Sequence, residues 1–151
     1  MSNPIDIVID KIIKNTEGAG EGYSLAAYWD EYGKVWTIGY GCTGKGITKG
    51  TVWTRGYAEA SLRQRLNQAH DTALRMSPIL RTQSDNRQAA ITDFIYNEGE
   101  GRYATSTLKI KIDAADWAAA QDQIVLWNKA GGRVLSGLVK RRAIDAALLA
   151  A

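Results

Sequence analysis

The chain holds a single cysteine, Cys42, and a single histidine, His70, in 151 residues. One cysteine excludes an internal disulfide, so the fold needs no oxidising compartment. With no Cys/His cluster there is no zinc-site pattern. A Ser-His-Asp triad would have to use His70, and no nucleophile-elbow motif exists; a phosphate-cradling glycine loop is missing as well. Long apolar runs are also lacking. Asp6, Asp10, Lys11 and Lys14 interrupt the N-terminal isoleucines, and no basic segment precedes them. Nothing reads as a signal peptide or membrane anchor, and no later segment is apolar enough to span a bilayer. The expectation is a chain made in, and at first held in, a cytoplasm, without stable membrane insertion. Repeats, low-complexity tracts and linkers are absent.

Charge is nearly balanced, with a net +3 and a sequence pI of about 9.0. That suits an acidic polymeric partner such as nucleic acid or a bacterial envelope. Acids and bases are mixed throughout, whereas a nucleic-acid binder concentrates its bases on one face. One local cluster, Lys140-Arg141-Arg142, reads by itself as a solvated helix face. The length fits one domain, 1–151, able to bury a core without metal or disulfide staples.

The first segment has helical signals. Asn3 can cap, Pro4 suits the first turn, and Ile5, Val8, Ile9 and Ile12 form a helical stripe. Gly18, Gly20 and Gly22 stop this helix. Two short strands follow, at about 24–29 and about 35–40, around a turn containing Gly33. The glycine-rich stretch after them reads as loop, with a third short strand near Ile47. Ala58, Leu62, Leu66, Ala69 and Ala73 then line one helix face, which Pro78 ends. Further helices are predicted at about 85–97, about 115–128 and about 137–149. Leu108-Lys109-Ile110-Lys111-Ile112 alternates like a strand inside a helical region. The sum is an α+β architecture, with a cleft expected where a hairpin lobe meets a helical lobe.

One stretch carries chemistry. Glu21-Gly22 stands at a helix stop, Asp30 at a hairpin tip, and Thr37 on the returning strand, within Trp36-Thr37-Ile38-Gly39-Tyr40-Gly41. Cleaving a glycosidic bond needs one carboxyl kept protonated and another kept ionised. A Glu at the end of an apolar helix meets desolvation and the negative dipole end, and both raise its pKa. An Asp in a polar turn stays ionised, and Thr37 is placed to share a water with it.

The order Glu-Gly…Leu-x-x-Tyr-x-Asp…Trp-Thr-Ile-Gly-Tyr-Gly resembles the phage-type lysozymes (endolysins, glycoside hydrolase family 24). The likeness continues through Gln88-Ala89-Ala90-Ile91 and Phe94-Ile95-Tyr96-Asn97-Glu98-Gly99. It ends with Ser106-Thr107-Leu108, Trp127-Asn128 and Gly137-Leu138-Val139-Lys140-Arg141-Arg142. The resemblance implies a lysozyme-like fold: a β lobe over about 22–53 and a helical lobe over about 54–151 packed with a helix at about 4–17. It turns the ambiguous stretch from Leu108 to Ile112 into helix. It implies a muramidase that cuts the β-1,4 bond between N-acetylmuramic acid and N-acetylglucosamine, without metal or cofactor. Glu21 would be the general acid, with Asp30 and Thr37 positioning water. Gly41, Tyr96 and Ser106, together with Gln121, would face the sugar. The partner would be the glycan strands of bacterial peptidoglycan and not nucleic acid, and a monomer is expected. Such an enzyme collects in the host cytoplasm and reaches the periplasmic wall once another protein opens the membrane.

Three features depart from the family pattern. Glu17-Gly18 duplicates Glu21-Gly22, and Glu17 fits the helix better, with Ile13 four residues before it. Glu21 has the family spacing to Asp30 and is preferred, because both carboxyls must flank one bond. The step from Asp30 to Thr37 is one residue longer than the family's, which implies an enlarged turn near Lys34 and leaves Glu31 as a rival to Asp30. Cys42 stands where a His commonly follows Tyr-Gly, and reads as a small buried hydrophobe.

Overall fold

The computed structural model describes residues 3–15 and 24–151. Glu17, Glu21 and the stops Gly18, Gly20 and Gly22 lie outside the described residues. Asn3 caps α1 (Pro4–Ile7) by accepting the Asp6 amide at 2.9 Å. The helix runs on through a π-helical turn (Val8–Ile12) into a 3-10 turn (Ile13–Asn15). The wider turn rotates the apolar stripe, so Ile13 is buried with Ile5, Val8 and Ile12.

Strands β1 (Ser24–Asp30) and β2 (Val35–Gly39) form an antiparallel hairpin, with Tyr28 opposite Thr37 and Asp30 opposite Val35. The third segment against this hairpin is not at Ile47. It is at residues 51–53, where Ala27 donates to Thr51 O at 2.9 Å and Trp53 to Leu25 O at 2.8 Å.

The helical part opens with α2 (Arg55–Met76), capped by Thr54. Its buried residues are Ala58, Leu62, Leu66, Ala69 and Ala73, the face read from the sequence. Pro78 starts a 3-10 turn (Pro78–Thr82), and Ser84 then caps α3 (Asp85–Glu98). Residues 89–95 of α3 are all buried, so this helix is surrounded, by α1, α2 and α7 among others. Short α4 (Glu100–Ala104) follows Gly99, whose φ of 95° lets the chain leave α3. The stretch from Leu108 to Ile112 is helical in α5 (Thr107–Asp113), with Leu108 and Ile112 buried and Ile110 64% exposed. That is the i, i+4 geometry of a helix, and Lys109 and Lys111 are its other solvent-side residues.

Asp116 caps α6 (Trp117–Ile124), which starts later than expected because Ala115 takes a left-handed φ of 55°. A second hairpin, β3 (Lys129–Ala130) and β4 (Arg133–Val134), turns at Gly131-Gly132. The last helix is α7 (Ser136–Ala150). Its Lys140-Arg141-Arg142 cluster is not a solvated face: Arg141 is 1% exposed and Arg142 0%. Both turn inward because Asp93 of the central helix and Asp145 of α7 meet them there.

Candidate active site

Asp30 closes β1, and its backbone carbonyl accepts the Lys34 amide at 2.6 Å across the turn. Its Oδ1 accepts the Tyr32 amide at 3.0 Å, a local bond typical of aspartate in turns. Lys34 carries a left-handed φ of 52° in this turn. At Gly33 beside it, an added Cβ would stand 2.9 Å from Asp30 Oδ2, which would have to move aside. Glu31 is exposed in the same turn.

The register puts Tyr28, Asp30, Val35 and Thr37 on one face of the hairpin, because side chains alternate along a strand. Thr37 is therefore the cross-strand diagonal neighbour of Asp30, about 7–8 Å away between backbones. Thr37 is only 3% exposed and its hydroxyl donates to Val35 O at 3.3 Å. Burial, helped by the Asp30 carboxylate, raises the Tyr28 phenol above its ordinary pKa.

Two hollows flank this face. The larger, of about 470 Å³, has Asp30, Tyr32 and Gly33 on one wall and Asn97 and Glu98 of α3 on the other. Lys129 and Gly131 of the second hairpin also border it. The smaller, of about 280 Å³, is bordered by Gly41, Tyr96, Arg65 and Glu100. Asn97, near the C-terminal end of α3, borders both hollows, which are taken together as one groove. Tyr96 lines the smaller hollow and donates its phenolic hydrogen to Tyr40 O. Burial holds that phenol well above the ordinary tyrosine pKa.

The sequence-predicted residues do not all meet. Asp30, Gly41 and Tyr96 line the groove, and Thr37 sits behind Asp30. Ser106 borders neither hollow. It is buried, donates to Tyr103 O at 2.7 Å and accepts the Lys109 amide at 3.0 Å, so its hydroxyl works as the cap of α5. Gln121 is half-buried on α6. Cys42 is buried, its Sγ 3.4 Å from Ser61 Oγ, and His70 bonds Gln88 at 2.8 Å.

Behind the groove lies a charge cluster the sequence did not disclose. Arg141 bonds Asp93 at 2.6 Å, and Arg142 reaches Asp93 at 3.2 Å and Asp145 at 3.0 Å. Burial and the facing carboxylate of Asp145 push the Asp93 pKa up, against the pull of Arg142. Burial lowers Arg141 to about 9, with Arg142 adding to the effect.

The phage lysozyme family model matches residues 18–145. The chain belongs to this family. It is 36% identical over 126 residues to the SAR-endolysin of Enterobacteria phage PA-2, covering 83% of this chain and 74% of the relative. It is 38% identical over 132 residues to the endolysin of Acyrthosiphon pisum secondary endosymbiont phage 1, covering 85% and 88%. Its fold matches the muramidase domain of SpmX from Asticaccaulis excentricus with a TM-score of 0.76 at 24% identity, over 93% of each chain. As a phage lysozyme family member the chain is a cell-wall-lytic enzyme of α+β architecture. Among the described residues no helix is long and apolar enough to cross a membrane.

Proposed function

We propose that the chain is an endolysin of the muramidase type, hydrolysing the β-1,4 bond between N-acetylmuramic acid and N-acetylglucosamine in peptidoglycan. The observation that carries this reading is the shared face of Asp30 and Thr37 beside a groove whose far wall is α3. In the proposed mechanism Glu21 protonates the glycosidic oxygen. Asp30, in its polar turn, and Thr37 orient a water on the opposite face of the sugar. The water attacks the anomeric carbon as the leaving oxygen takes the proton, and Asp30 receives the water's proton. The product is inverted at that carbon.

This mechanism needs the two carboxyls about 6.5–9.5 Å apart, whereas about 5–5.5 Å belongs to retention. Glu21 is favoured over Glu17 by its spacing to Asp30. The slight excess of positive charge helps the enzyme dwell on an anionic wall, an attraction that salt screens. We take the chain to work as a single domain and a monomer, reaching the periplasmic wall from the host cytoplasm after the membrane is opened.

Proton NMR of the first released reducing end tests the proposal. An α-anomer at early times is expected for inversion. A β-anomer would mean retention, and 1,6-anhydro ends would make the enzyme a lytic transglycosylase.

A further inference from the structure

Glu98 is the last residue of α3 and has no part in the chemistry above. Its side chain is 7% exposed and borders the larger hollow across from Asp30. Oε2 accepts from Arg102 Nη1 at 3.2 Å. Oε1 faces Arg142 Nη1 at 3.7 Å, too far for a hydrogen bond, and takes no hydrogen bond among the described residues.

The fold explains a carboxylate here only in part: Oε1 lies near Arg142 Nη1, a buried donor with no hydrogen-bond partner among the described residues. The C-terminal end of a helix carries partial negative charge and disfavours an acid. Arg142 already has two closer carboxylates, Asp145 at 3.0 Å and Asp93 at 3.2 Å. The Arg102 partner is mostly exposed, and such a pair contributes little. What Glu98 does present is a mostly buried carboxylate, set beside Arg102 and Arg142, that borders the hollow.

We propose that Glu98 is a substrate-contacting residue: its Oε1 accepts a hydrogen bond from a hydroxyl or N-acetyl N–H of a sugar lying between the first hairpin and α3. This rests on the glycan-cleaving reading above. A carboxylate accepts and cannot donate, so it selects sugar donors. Asp30 and Glu98 then hold one ring from opposite walls.

The test uses a defined oligosaccharide of alternating N-acetylglucosamine and N-acetylmuramic acid. Its binding is followed by NMR titration, and KM and kcat are measured for wild type, Glu98→Gln and Glu98→Asp. Aspartate keeps the charge beside Arg142 but withdraws the oxygens by one methylene, so it decides the matter if the glutamine variant folds poorly. The expected result is Kd and KM raised about tenfold, the loss of one charge-assisted bond, with kcat within about twofold of wild type. Folded variants with wild-type Kd and KM overturn the proposal, as does a fall in kcat with KM unchanged. A wild-type chain that neither binds nor cleaves the oligosaccharide defeats the muramidase reading and this inference together. Wild-type cleavage with unaffected variants defeats this inference alone.

Discussion

Tyr96 of α3 donates its phenolic hydrogen to the main-chain carbonyl of Tyr40, the residue that leaves β2 for Gly41. The bond ties the helix that forms one wall of the groove to the hairpin that forms the other. The Arg141 guanidinium lies 5.9 Å from the centre of the same ring, so the tether is backed by the buried charge cluster. Tyr96→Phe is expected to cost about 0.5–1.5 kcal/mol, the net worth of one hydrogen bond. Urea unfolding reads this directly.

The same bond predicts a pH effect. An unfolded tyrosine ionises near pH ~10. Burial holds folded Tyr96 protonated above that, so the native state there binds more protons than the unfolded one. Stability from this group is full below about pH 10 and falls as pH rises further. Wild-type unfolding free energy should drop more steeply above that pH than that of Tyr96→Phe. Parallel slopes would mean the phenol is not held protonated.

Gly33→Ala should separate activity from stability. The added Cβ would meet Asp30 Oδ2 at 2.9 Å, and the flexible carboxylate can yield at little cost to the fold. It yields by moving from its water-positioning place, and a shift near 1 Å costs on the order of a hundredfold in rate. The expected result is kcat down about ten- to a hundredfold with a melting temperature close to wild type. Full activity would mean Asp30 need not sit where it does.

Ser106→Ala distinguishes a helix cap from a sugar contact. Losing the bond to the Lys109 amide should cost about 0.5–2 kcal/mol of stability. KM for glycan should not change. A raised KM at unchanged stability would restore Ser106 to the sugar site.

Asp93→Ala should be among the most damaging single changes, at about 3–5 kcal/mol, because Arg141 and Arg142 are left buried without their shared carboxylate. Thermal or urea denaturation measures it.

What the sequence disclosed and what it hid follow from distance along the chain. The α2 face from Ala58 to Ala73 and the strands around Asp30 depend on local periodicity, and both were legible. The burial of Arg141 and Arg142 depends on Asp93, 48 residues upstream of Arg141, and a run of bases gives no sign of a distant partner. Residues from Leu108 to Ile112 alternate only because two lysines fall on the outer side of a helix that Ser106 starts. The second hairpin was missed although Gly131-Gly132 is a strong turn signal, because its strands are only two residues each. Glu98 stood in plain view within a quoted motif. Its place on the groove wall emerges only when α3 and the first hairpin are set side by side.

The most direct test of the account is mass spectrometry of sugars released from purified Gram-negative peptidoglycan by wild type, Glu21→Gln and Glu17→Gln. The account predicts reducing-end muropeptides from wild type and Glu17→Gln, and none from Glu21→Gln. Release that survives Glu21→Gln and vanishes in Glu17→Gln would contradict the assigned acid. No release from the wild-type chain would contradict the muramidase itself.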